Sequence, residues 1–146
     1  LIDSVCRKGS SLLYFGCGFV ADLQKLCNVF FNIIMSELNS DALAEAQDLA
    51  KNMKMRVNLY PGDIHACPNR KYDVVCYNFA LHYIFQTRDL FVSTLREIKK
   101  RVKPGGVFIG SIPDSERIIF KTHIHGSSGN LFKRKKTSNG DVCEKW

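Results

Sequence analysis

Three sets of residues in this sequence have the types and spacing to do chemistry. The first is Gly16-Cys17-Gly18, which ends an apolar run over 12–15 and is followed, from Val20, by helical spacing of Leu23, Leu26 and Cys27. A strand that breaks at glycines and turns into a helix presents free backbone N–H groups at the helix start. Glycine there lets a ligand approach the backbone and permits a positive φ; a tight turn with no ligand is the alternative. The stretch lacks the third glycine of a dinucleotide fingerprint and the Gly-Lys-Ser/Thr of a P-loop, so it fits a nucleoside-type ligand lying over the turn. The second set is acidic. Glu37 ends the next apolar run about twenty residues on, where a carboxylate can accept from both hydroxyls of a ribose. Its other role would be a charge near the helix start at Asn39. Asp63, after Pro61-Gly62, can accept from an adenine amino group or serve as a turn aspartate. The third set is the stretch 78–85, where Asn78, Phe79, His82, Tyr83 and Phe85 follow a strand directly. Aromatic faces stack a flat purine, and His or Tyr can hydrogen-bond its edge. No serine, cysteine or carboxylate pair is arranged for nucleophilic or acid–base work. His65, Cys67, His82, His123 and His125 lack metal-ligand spacing.

These residues need a scaffold, and the hydrophobic pattern supplies one. Residues 12–15, 30–35, 55–60, 72–79 and 107–111 read as strands, and 20–29, 42–53 and 87–102 as helices. Asn39-Ser40-Asp41 offers cap chemistry to 42–53, with Leu43, Ala46, Leu49 and Ala50 on one face. Thr87 or Asp89 caps 87–102, with Leu90, Leu95, Ile98 and Val102 inward, and Lys103-Pro104-Gly105-Gly106 is a stop. Residues 1–6 read as a helix end and 64–71 as loop. The alternation implies an α/β doubly wound, mostly parallel sheet with helices on both faces. In such a sheet ligands lie beyond the carboxyl ends of the strands, which is where all three sets fall. One domain over 1–120 is expected, with 121–146 a basic, Gly/Ser-rich tail to which no regular structure is assigned.

The 146 residues are 45% hydrophobic, enough for one core. A net charge of +7 suits an anionic partner, although the cluster Lys133-Arg134-Lys135-Lys136 carries much of it and reads as a solvated tail. The six cysteines show no Cys-x-x-Cys pair and read as free thiols of a reducing compartment. No apolar stretch reaches the roughly 18–20 residues of a membrane span, and no signal peptide is visible. Opening on Leu1 rather than Met suggests a fragment.

Three motifs then carry a resemblance: Leu-Leu-x-Phe-Gly-Cys-Gly-x-x-x-Asp-Leu over 12–23, Tyr-Asp-Val-Val-x-x-Asn-Phe-Ala-Leu-His-Tyr-x-Phe over 72–85, and Pro-Gly-Gly-x-Phe-Ile-Gly-x-Ile-Pro-Asp-Ser over 104–115. Together they resemble the eukaryotic and viral mRNA cap guanine N-7 methyltransferases. The first is common to methyltransferases generally; the other two are more specific. The resemblance implies an S-adenosylmethionine-dependent methyltransferase fold with Gly16 and Gly18 along the methionine part of the cofactor, Glu37 at its ribose and Asp63 at its adenine. It puts Asn78, where the family usually has glutamine, near the cofactor. Phe79, His82, Tyr83 and Pro113 would border the pocket for the cap guanine, Tyr83 touching the cofactor as well. No side chain would enter the methyl transfer, because guanine N7 is already a nucleophile and a sulfonium a good donor. Catalysis is then proximity, orientation and electrostatics. The implied substrate is the capped 5′ end of an RNA, the implied partner a capping enzyme or activator protein, with no membrane and no metal. The implied location is intracellular, nuclear for a cellular protein and cytoplasmic for a viral one. Two rivals stand beside this reading: a methyltransferase of another, small substrate, and a non-catalytic relative that binds RNA or a protein. The sequence departs from the family pattern at Tyr14, where an acidic residue is usual, and at Phe19, where lysine is. The chain is also expected to begin after much of the family's N-terminal cofactor-covering segment and to stop before its last antiparallel strands.

Overall fold

The computed structural model describes residues 8–18 and 23–114, together with the backbone of two strands between 132 and 145. The expected helix end at 1–6 and the residues Phe19 to Asp22 lie outside the described residues. Five strands, β1 (Ser10–Phe15), β2 (Phe30–Glu37), β3 (Val57–Pro61), β4 (Tyr72–Asn78) and β5 (Val102–Ser111), form one parallel sheet in the order β3-β2-β1-β4-β5. The central strand β1 pairs with β2 on one side and β4 on the other, and Leu12, Leu13, Tyr14 and Phe15 are all buried. A strand covered on both faces reads as a continuous apolar run rather than an alternating one. Its side chains divide the core accordingly. Leu12 and Tyr14 join Leu23 and Leu26 of α1 (Leu23–Val29) and Ala46 and Ala50 of α2 (Ser40–Asn52), whereas Leu13 and Phe15 join Ile98 of α3 (Arg88–Arg101). The chain leaves β1 toward β2 and β3 and returns on the other side at β4, so the strand order reverses between β1 and β4. The doubly wound parallel sheet expected from the alternation is the fold observed.

Local capping follows the sequence closely. The Asn39 side chain accepts from the N–H groups of Asp41 and Ala42 at 2.9 and 3.0 Å, and the Thr87 hydroxyl accepts from that of Leu90 at 3.1 Å. Two expectations are corrected. On α3 the buried face is Thr94, Ile98 and Arg101, while Leu90 and Leu95 are 40% and 37% exposed. Apolar residues lie around most of this helix, and the stripe that faces the sheet is chosen by packing rather than by content. Arg101 is accommodated because Glu97, one turn before it, takes its guanidinium. The second correction concerns β5, which starts at Val102 rather than 107. Tyr72 pairs with Val102 and Val74 with Val107, so the Pro-Gly-Gly segment is an irregularity inside the strand.

At that irregularity Lys103 Nζ donates to both oxygens of Asp73, at 3.0 and 2.9 Å, while the Ser11 hydroxyl and N–H donate to Oδ2 at 2.6 and 2.8 Å. These bonds, Ser11 first, pull the Asp73 carboxyl down to about 2. A carboxyl lowered in the folded state contributes stability above its unfolded value, and that contribution is lost as pH falls toward the folded one. The group is partly exposed, so solvent screening reduces the effect to about 1 kcal/mol. Asp73→Asn should therefore be less stable than the wild type by that amount in urea denaturation at pH 7, and the two should converge near pH 2.

Residues 113–146 form a second compact unit. Within it β6 (Phe132–Thr137) and β7 (Gly140–Lys145) pair antiparallel, from Thr137 with Gly140 to Phe132 with Lys145. The sequence reading assigned no element here, although Ser-Asn-Gly at 138–140 has the composition of a turn. No helix among the described residues is long and apolar enough to cross a membrane.

Candidate functional site

All five strands are parallel, so the turns after β1, β2, β3 and β4 and the end of β5 share one edge of the sheet. Backbone bonds hold the first three together. The Gly16 and Cys17 N–H groups donate to the Ser36 carbonyl at 2.9 and 3.2 Å, and Gly62 N–H donates to the Glu37 carbonyl at 2.9 Å. Glu37, the last residue of β2, turns its carboxylate to the glycine turn. Its Oε2 accepts from Gly18 N–H at 2.8 Å, and its Oε1 accepts from the N–H groups of Leu38 and Asn39, each at 2.9 Å. Three of roughly four lone-pair sites are thereby used, which orients the carboxylate and leaves capacity for one further donor.

Both glycines adopt the positive φ that the sequence allowed for, and they differ in what a side chain would meet. Gly16 has φ +62°, and a Cβ on it would stand 2.3 Å from Ala80 Cβ, in the turn after β4. Its glycine is required by the protein itself. Gly18 has φ +53°, and a Cβ there would meet nothing within 4 Å. It is Gly18 that leaves the backbone open to a ligand. Cys17, between them, is buried, and burial, helped by the nearby Glu37 charge, pushes its thiol up to about 12. It is a packing group and not a nucleophile. Tyr14 is buried in the same core cluster.

After β4 the chain makes an unusual turn. Phe79 adopts φ +53°, the left-handed region that costs a residue with a Cβ about 1–2 kcal/mol. Its N–H donates to the Ser111 hydroxyl at 2.9 Å, and that hydroxyl donates to Asn78 Oδ1. Phe79 and Tyr83 are 61% and 48% exposed, and the Tyr83 ring lies 4.1 Å from that of the half-buried His82. Phe85 leaves this group and stacks on Phe91 of α3 at 5.1 Å. The turn Leu81–Gln86 is 3-10, with Ile84 its buried anchor.

The structure thus joins Gly16, Gly18, Glu37, Asn78 and Phe79 through direct contacts of their turns, with His82 and Tyr83 on the same connection. Asp63 caps the short 3-10 turn Ile64–Ala66, accepting from His65 N–H at 2.9 Å, and its strand end is tied to Glu37 through Gly62. Pro113 opens the second unit and is half-buried. Ala80 and Ser111 were not singled out by the sequence; small residues at strand ends carry no signal of their own. A groove of about 480 Å³ lies elsewhere, between α2 and the edge strand β3, lined in part by Ala50, Met55 and Leu59. Among the described residues no group of His, Cys, Asp or Glu could hold a metal ion. The arrangement can bind and orient; it offers no acid–base pair.

Residues 10–133 match the family described as the mRNA (guanine-N(7))-methyltransferase domain. The mRNA cap guanine-N(7) methyltransferase of Candida glabrata is 30% identical over 165 residues, covering 99% of this chain and 40% of the relative. That of Saccharomyces cerevisiae is 31% identical, covering 83% of this chain and 31% of its own length. The chain spans less than half the length of these relatives. Among solved structures, an S-adenosylmethionine-dependent methyltransferase from Clostridium acetobutylicum superposes with a TM-score of 0.66 at 24% identity, covering 88% of this chain and 50% of that one. The DhpI–SAM–HEP complex superposes at 0.61 and 19% identity, covering 93% and 62%. At these identities the likeness speaks to the fold.

Proposed function

The chain belongs to the mRNA (guanine-N(7))-methyltransferase family, and from that premise we propose that it binds S-adenosylmethionine over the Gly18 turn and holds a GpppN RNA cap for methylation at guanine N7. The observation that carries this reading is the Glu37 carboxylate fixed on Gly18 N–H, beside a glycine whose Cβ position is open. That combination fits a ribose-bearing cofactor: a negative acceptor with one remaining site, next to backbone that can be approached closely. When bound, S-adenosylmethionine supplies a sulfonium-activated methyl group. The chain's own residues do the holding. Glu37 accepts from a ribose hydroxyl, Asp63 from the adenine amino group, and Asn78 donates its amide. Phe79, His82 and Tyr83 offer the guanine a flat wall and edge partners. No residue has to move a proton, since guanine N7 presents its own lone pair; the acceleration comes from alignment. The relatives are eukaryotic mRNA cap guanine-N(7) methyltransferases, and the reading puts this activity in the nucleus, with capped RNA as substrate and a capping enzyme or activator protein as partner.

Titration calorimetry with S-adenosylmethionine tests the reading. Binding is expected in the wild type, and Glu37→Ala should weaken it by about 1–3 kcal/mol through loss of a charge-assisted contact. Glu37 also braces three backbone N–H groups, so a thermal melt of each variant accompanies the titration, with Glu37→Gln retaining part of that bracing. A folded wild type that stays silent at millimolar cofactor would sink the enzymatic reading in favour of a non-catalytic relative.

A further inference from the structure

We infer that Ser111, an unspecified position in the third motif, is the positioning residue of this site: its one hydroxyl sets both the group that Asn78 offers a ligand and the presentation of the Phe79 ring. The inference rests on the function proposed above. Ser111 ends β5 and stands opposite Asn78, the last residue of β4, at the final rung of the parallel pair. Its Oγ accepts from Phe79 N–H at 2.9 Å and donates to Asn78 Oδ1 at 2.5 Å. Only a hydroxyl acts as donor and acceptor at one atom in so small a space.

Two consequences follow from that pair of bonds. With Oδ1 engaged, the Asn78 carboxamide has its NH2 left for a ligand, so it meets an acceptor-bearing edge. The left-handed backbone at Phe79, φ +53°, persists because its N–H is held, and it presents a ring that is 61% exposed. The next residue, Ala80, abuts Gly16. The hydroxyl therefore ties the end of β5 to the turns after β4 and β1 at once.

The test compares wild type, Ser111→Ala and Ser111→Thr by three measurements: amide hydrogen exchange at Phe79, and titrations with GpppG and with S-adenosylmethionine. Ser111→Ala, which removes both bonds of the hydroxyl, should speed exchange at Phe79 about ten-fold or more and weaken GpppG about five-fold. Ser111→Thr, which keeps the hydroxyl, should restore both. Should Ser111→Ala fail to fold, Ser111→Cys takes its place, keeping the shape while weakening both bonds. Unchanged exchange at Phe79 overturns the inference. So does faster exchange with unchanged GpppG affinity, or a threonine variant no better than alanine, and in each of these the proposed function stands. A wild type that binds neither GpppG nor S-adenosylmethionine overturns the proposed function itself, and this inference with it.

Discussion

Gly16→Ala should lower the unfolding free energy by about 3–5 kcal/mol, whereas Gly18→Ala should lower it by only about 1 kcal/mol. Both glycines sit at positive φ, +62° and +53°, so a side chain strains the backbone at either. They differ in what a Cβ meets: at 16 it would stand 2.3 Å from Ala80 Cβ and 3.7 Å from Ala80 Cα, and at 18 it would meet nothing. Ala80 has no flexible end to swing aside, and the glycine turn is itself bonded to the Ser36 carbonyl. One of two turns must therefore shift, which is the overpacking penalty of a tight core. Ala80→Gly in the Gly16→Ala background should recover about 2 kcal/mol, leaving the backbone strain behind. The ranking should reverse for cofactor affinity, since Gly18 is the residue open to a ligand. Urea denaturation of the wild type and the three variants, paired with calorimetry, measures both orders. Equal destabilisation at the two positions would show that Ala80 is not what requires glycine at 16.

His82→Ala should reduce the use of capped RNA about ten-fold or more, equivalent to about 1.4 kcal/mol, with affinity for S-adenosylmethionine nearly unchanged. His82 lies on the connection after β4, half-buried, with its ring 4.1 Å from Tyr83. A guanine needs a flat apolar wall and hydrogen-bond partners along its edge, the roles proposed for Phe79, His82 and Tyr83. Tyr83 borders cofactor and cap together in the proposed site, which makes His82 the cleaner probe. A cap analogue that competes with capped RNA in the wild type should lose that competition in His82→Ala. If His82→Ala methylates capped RNA as well as the wild type does, the guanine site lies elsewhere. If small metabolites alone are methylated, the cap substrate is the wrong one.

The local decisions in this chain are legible in its sequence. The run that becomes β1 ends at Gly16 and Gly18 because glycine takes a positive φ without the strain a side chain brings, and Asn39 and Thr87 start helices with side chains that reach N–H groups two or three residues on. Strand, turn and cap are decided by neighbours a few residues apart, so propensity and spacing suffice to place them. Glu37 and Asn78 could be placed at strand ends for the same reason. What the sequence did not decide is which distant residue each of these would meet. Leu90, Phe91, Val92, Leu95 and Ile98 spread apolar surface around α3, and only packing against the sheet selects the face through Thr94 and Ile98. Val102 joins β5 because Tyr72, across the crossover, provides its pairing partner. Gly16 answers to Ala80, Gly18 to Glu37, and Phe79 to Ser111. Each of these contacts joins the ends of different strands in a parallel sheet, where neighbours in space are separated by a whole helical crossover or more. Their register is set by burying both faces of β1 at once, a condition that only the assembled tertiary structure imposes.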